Sequence, residues 1–83
     1  MAATDDLRKL ATHHHDEATM RRKKGLEFCR QSERADLAGQ QRAAKQWRAM
    51  GDAELRVAAS QQEEADRLTT MADVYDELPD PPK

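Results

Sequence analysis

The sequence predicts an all-α protein, a small antiparallel helical bundle. Proline is absent before Pro79, and alanine, glutamine, glutamate, arginine and leucine, all good helix formers, dominate the chain. β-branched residues are scarce, and no alternating run of valine, threonine and aromatic residues indicates a strand. The 83 residues make one small domain at most, here expected over residues 1–78.

The first helix is expected near residues 5–24. Thr4, followed by two aspartates, suits a helix amino terminus, because its side chain can cap free N–H groups and the acids complement the helix dipole. The four cations of 21–24 suit a carboxyl terminus, and Gly25 then stands where a left-handed closing residue is expected.

Glycine and capping residues of the same kind predict two further helices. Gly51 closes a second helix near 26–50, and Asp52 caps a third near 53–78. The remaining residues, 79–83, are acidic and proline-rich and are expected to form a flexible tail.

A single break at Gly39 gives an alternative, a long two-helix hairpin near 5–38 and 40–78. A glycine inside a helix costs only about 1 kcal/mol relative to alanine, so both arrangements tolerate the glycines they leave internal. We favour three helices because two of those breaks come with matching charges or caps.

The predicted core is thin. Of the 31 apolar residues 14 are alanine, whereas leucine, valine and phenylalanine together number 10. Because large side chains are few, the free energy gained by their burial exceeds the cost in chain entropy by only a small margin. We therefore expect self-association, docking on another protein, or an adaptor that folds only on its partner.

The best seam is in the last helix, where apolar residues recur at three- and four-residue steps and Met71 and Val74 widen the line: Leu55, Ala58, Ala65, Leu68, Ala72, Tyr75 and Leu78. The middle segment contributes Trp47 and Met50 to the seam. Within this set, the packing seam or partner surface is assigned to Trp47, Leu55, Leu68 and Tyr75.

Charge is segregated along the chain. Residues 1–20 have a net charge of −2, residues 21–48 of +6 and residues 49–83 of −6. The basic middle suggests an alternative function, because phosphate neutralisation needs clustered cations. The residues that would contact nucleic acid are Arg21, Arg22, Lys23 and Lys24.

The run HHHDEATMRRKK (residues 13–24) resembles a metal site but does not form one on a helix. His13 and Glu17 are four residues apart and share a face, whereas His14 and His15 point 100° and 200° away. We therefore expect no metal and no cofactor. Phosphate-binding loops, nucleophile elbows and paired acid–base groups are absent from the sequence, so we expect no enzyme.

These patterns favour a non-catalytic protein–protein interaction module whose partner is a second copy, another protein, or both. The single cysteine, Cys29, allows no internal disulfide, and no apolar run is long enough to cross a membrane. We therefore expect a cytoplasmic protein that does not bind membranes.

Overall fold

The computed structural model describes residues 2–78, which form two long helices joined by a tight turn. α1 runs from Ala2 to Leu37 and α2 from Gln41 to Glu77. The helices pack antiparallel along their whole length into a rod with extents of 71 × 12 × 12 Å. The all-α prediction is confirmed, and the tail predicted at residues 79–83 lies outside the described part of the chain.

The turn between the helices is built on Gly39, whose φ of 76° lies in the left-handed region that favours glycine. Two hydrogen bonds close α1 in the manner of a Schellman motif. The Gly39 N–H donates to the Asp36 carbonyl at 3.0 Å, and the Gln40 N–H donates to the Ala35 carbonyl at 2.8 Å. The two-helix alternative therefore fits the structure, and the favoured three-helix arrangement is wrong.

Gly25 and Gly51 do not break helices because they are packing positions. Both lie buried within helices, opposite each other across the seam. A Cβ added at Gly51 would lie 3.0 Å from the Gly25 carbonyl oxygen, and one added at Gly25 would lie 3.1 Å from the Gly51 oxygen. Thr4 and Asp52, expected to be caps, also lie inside helices.

The contact between the helices, here called the seam, has a small residue at every seventh position of each helix. Ser32 shows how closely the backbones approach, because its Oγ donates a hydrogen bond to the Ala44 carbonyl at 2.8 Å. The Gly25–Gly51 contact belongs to the same register. The ten positions, all buried, are Thr4, Ala11, Ala18, Gly25 and Ser32 in α1 and Ala44, Gly51, Ala58, Ala65 and Ala72 in α2.

Larger residues lie between these small ones, three positions after each except Ser32, where the buried Ala35 follows. Only some of them are apolar, and two levels in the middle of the seam are polar. Proceeding towards the turn, contacts join His14 with Gln61, Arg21 with Glu54, and Phe28 with Trp47. The same register places Leu7 at the level of Leu68. The heptad spacing is that of a coiled coil, but the seam buries little large apolar surface.

Candidate interaction surface

α2 has a line of large apolar side chains on its outer surface, at intervals of seven and fourteen residues. Met50, Val57 and Met71 each stand one position before a small seam residue, so they share one side of the helix. Leu78, directly after the end of α2, continues the line. All four are exposed. We call Met50, Val57, Met71 and Leu78 the apolar stripe.

One charged residue, Glu64, occupies the position in the stripe midway between Val57 and Met71. Arg67 lies one turn away, and its Nε donates a hydrogen bond to Glu64 at 3.0 Å. The hydrogen bonds from Arg67 lower the pKa of the Glu64 carboxyl. The stripe is therefore interrupted at its centre by the Glu64 carboxylate, which is already paired with Arg67.

α1 contributes to the same side of the rod. Arg8 forms an ion pair with Asp76, and each of these two residues stands four positions after a small seam residue. In both helices, therefore, the positions four residues after the small ones lie on the same side of the rod. Positions one residue before the small residues therefore share the opposite side. Leu10, one position before Ala11, consequently lies on the side of the stripe and is exposed.

The side opposite the stripe is mostly polar. The Arg8 guanidinium also contacts Asp73 at 3.0 Å, and hydrogen bonds with Asp76 and Asp73 raise the pKa of Arg8. Near the middle of the rod, His15 Nδ1 lies 3.0 Å from the Gln62 amide oxygen. This side is thus covered by charged and amide groups that suit contact with water.

The four residues assigned to the seam or partner surface do not form one surface. Trp47 is half-buried against Phe28, with ring centroids 5.7 Å apart. Leu55 is half-buried with its side chain over Gly25, Leu68 is 5% exposed inside the seam, and Tyr75 is 49% exposed. Three therefore contribute to the packing of the hairpin, and only Tyr75 is largely accessible.

The stripe itself was missed in the sequence. The sequence alone predicts Met50 and Leu78 as seam residues and Met71 as a residue that widens the seam. Their spacing separates them from it, because Met50, Val57 and Met71 each stand one position before a small seam residue and Leu78 follows Met71 by seven.

The four consecutive cations of residues 21–24 point in different directions around α1. Arg21 lies in the seam, where its Nη1 donates to both carboxylate oxygens of Glu54 at 3.1 and 3.3 Å. The Lys24 ammonium lies 4.0 Å from the same carboxylate. Arg22 and Lys23 are exposed. Half of the basic run is thus used to neutralise Glu54, which is only 16% exposed.

The histidines also separate. His14 enters the seam, where its Nδ1 lies within hydrogen-bonding distance of the Gln61 amide oxygen, whereas His15 contacts Gln62. His13 packs edge-on against the His14 ring. Within residues 2–78, no three histidine, cysteine or carboxylate side chains are placed to hold a metal ion.

Neither α1 nor α2 is apolar enough over a sufficient length to cross a bilayer. No protein-family model, no curated protein and no solved structure matches this chain.

Proposed function

We propose that this protein is a non-catalytic interaction module that self-associates, burying the apolar stripe of α2 between two copies. The observation that carries the proposal is the placement of Met50, Val57, Met71 and Leu78 on the outside of a hairpin whose own seam is filled by small and polar residues. A large part of the chain's limited apolar surface faces outwards.

The thickness of the hairpin supports this proposal. Stable domains bury the apolar face of one layer of elements against another layer. The rod has Cα extents of 12 Å across its axis and consists of one layer of two helices, so among residues 2–78 no second layer covers the exposed stripe. Two hairpins stacked on their stripes form a four-helix bundle, in which each large apolar side chain contributes about 1.5–3 kcal/mol if its burial is complete.

Sedimentation velocity tests this function with a matched pair of variants. Val57→Gln/Met71→Gln places two amides in the stripe, whereas Leu26→Gln/Leu37→Gln makes the same kind of change at two exposed leucines outside it. We expect the wild type and the Leu26/Leu37 control to sediment as a dimer, and the stripe variant to shift towards the monomer. A wild-type monomer throughout the micromolar range, or equal loss of the dimer in both variants, would contradict the proposal.

A second candidate function is nucleic-acid binding through the basic part of the rod. The supporting observation is that Arg22 and Lys23 are exposed and form no ion pair among the described residues. Binding to an oligonucleotide should then weaken steeply with salt and be lost when Arg22 and Lys23 become glutamine. Absence of binding at low salt would eliminate this candidate, whereas the stripe proposal does not depend on it.

The cytoplasmic location, the absence of catalysis and the absence of a cofactor stay predictions from the sequence. The charged residues of the seam do not change these expectations, because Arg21 and Glu54 pair with each other and are placed to stabilise the hairpin.

A further inference from the structure

The apolar stripe is symmetric about its charged centre. Met50 and Leu78 are both fourteen residues from Glu64, and Val57 and Met71 are both seven residues from it. A two-fold axis through Glu64 therefore brings every apolar residue of the stripe opposite another apolar residue. Antiparallel registers shifted by one heptad would instead place Glu64 against Val57 or Met71 of the second copy.

Building on the proposed self-association, we infer that two copies dock antiparallel, α2 against α2, on a two-fold axis that passes beside Glu64. The apolar residues alone also allow a parallel pair, in which each stripe residue faces its own equivalent. The orientation is decided by charge.

The rod has opposite charges at its two ends. The half next to the turn, residues 21–55, has nine positive and five negative side chains, a net charge of +4. The other half, residues 2–20 and 56–78, has four positive and ten negative side chains, a net charge of −6. A parallel pair stacks like charge on like charge along the whole rod, whereas an antiparallel pair overlaps each basic half with an acidic half.

The register fixed by Glu64 also determines which levels of the two rods overlap. The Arg21–Glu54 contact places the cationic run 21–24 at the level of residues 51–54 of α2. Two-fold rotation about Glu64 puts that level beside residues 74–77 of the second copy, within its acidic half. Asp76 lies on the side away from the stripe, so the attraction acts between the halves of the two rods and not as a direct ion pair. In a parallel pair, the same cationic run would lie at the level of the identical run in the second copy.

The charges at the axis are also matched. Each Glu64 comes with its Arg67, so the axis collects two carboxylates and two guanidinium groups instead of two unpaired acids. A charge can be buried at an interface when it is paired and hydrogen-bonded. Leu10 lies at nearly the same level on α1 and is placed to cover this group from the side.

Distances between spin labels on the two copies test the orientation. In a Cys29→Ala background, single cysteines at Ala49, Arg56 and Glu63 place labels one heptad apart on the outer surface of α2. At a rise of 1.5 Å per residue, the antiparallel pair gives axial separations of about 45, 24 and 3 Å for the three positions. A parallel pair gives the same distance at all three.

We expect the inter-copy distance to fall steeply from position 49 to position 63. One constant distance in a dimer would overturn the antiparallel orientation and leave the proposed self-association standing. If no dipolar coupling between copies appears at any position and sedimentation shows a monomer, the proposed function fails together with the inference. A dimer whose axial separations differ from these three values by about 10 Å, the rise of one heptad, would overturn the axis at Glu64 alone.

Discussion

At the scale of single residues, the two mid-helix glycines determine how closely the helices approach. Gly25 and Gly51 each place a backbone carbonyl oxygen where the other residue's side chain would otherwise lie. Glycine is unfavourable inside a helix, so the positions are explained by packing across the seam and not by local conformation.

We therefore expect Gly51→Ala to destabilise the protein, although alanine is the better helix former by about 1 kcal/mol. The new Cβ would lie 3.0 Å from both the Cys29 Sγ and the Gly25 carbonyl oxygen, so the thiol and the facing backbone must move by a few tenths of an ångström. Urea unfolding followed by circular dichroism measures the loss. Ala53→Gly is the control, because Ala53 is exposed and the change should lower the free energy of unfolding only by the difference in helix propensity between alanine and glycine. A more stable Gly51→Ala protein would contradict the close packing of the seam.

Leu68 is the large aliphatic side chain most completely buried in the seam, with 5% of its surface exposed. We expect Leu68→Ala to lower the free energy of unfolding by about 2 kcal/mol or more, because a cavity adds to the lost apolar burial. Leu26→Ala makes the same chemical change at a side chain 47% exposed outside the stripe and should cost less than about 1 kcal/mol. Equal losses in the two variants would show that the seam has been placed incorrectly.

At the scale of the helices, the seam is specified by small residues and by polar pairs in its middle. The Arg21–Glu54 pair lies between levels of small residues and is only partly shielded from water, with 39% and 16% of the side chains exposed. Such pairs contribute little net stability once desolvation is subtracted, but removal of one partner leaves the other charge poorly compensated.

We expect a double variant, Arg21→Leu/Glu54→Leu, to be at least as stable as the wild type, because two apolar side chains would fill a level that is now charged. Arg21→Leu alone should be less stable than either, since it removes the guanidinium whose Nη1 donates to both oxygens of the Glu54 carboxylate. Thermal unfolding of the three proteins at one concentration compares them. A double variant less stable than the Arg21→Leu single variant would show that the ion pair is a net stabilising element.

The helices and part of their packing could be predicted from the sequence, but their number could not. The spacing of Ala58, Ala65, Leu68 and Ala72 identified the buried face of α2 because that signal is local and periodic. The break at Gly39 was outweighed by stronger local signals, the cations before Gly25 and the acid after Gly51. The contact between Gly25 and Gly51 decides between the two-helix and three-helix arrangements. Because these glycines are 26 residues apart, no local pattern in the sequence indicates that they touch.

The assignment to a packing seam or partner surface left two roles open. Trp47, Leu55 and Leu68 pack within the hairpin, Tyr75 is exposed, and their role towards a partner stays a prediction. Met50 and Val57 were harder to assign because they stand only one position before seam residues. The register of the two helices must be known before such residues can be placed outside the seam.

At the scale of the whole molecule, the protein is a thin rod with opposite charges at its ends and an apolar stripe along one side. The seam alone gives the hairpin little apolar burial, and we propose that a second copy adds more by covering the stripe. Under this proposal folding and association are coupled, so we expect the stability of the helices to depend on protein concentration.

The most direct test of this coupling is thermal unfolding, followed by circular dichroism at 222 nm over a hundredfold range of protein concentration. A dimer that unfolds to two separate chains has a melting midpoint that rises with concentration, even when the dimer is too tight to dissociate on dilution. We expect that rise in the wild type and a much smaller one in Val57→Gln/Met71→Gln. A wild-type midpoint that stays constant across the whole range would contradict self-association as the basis of this protein's stability and function.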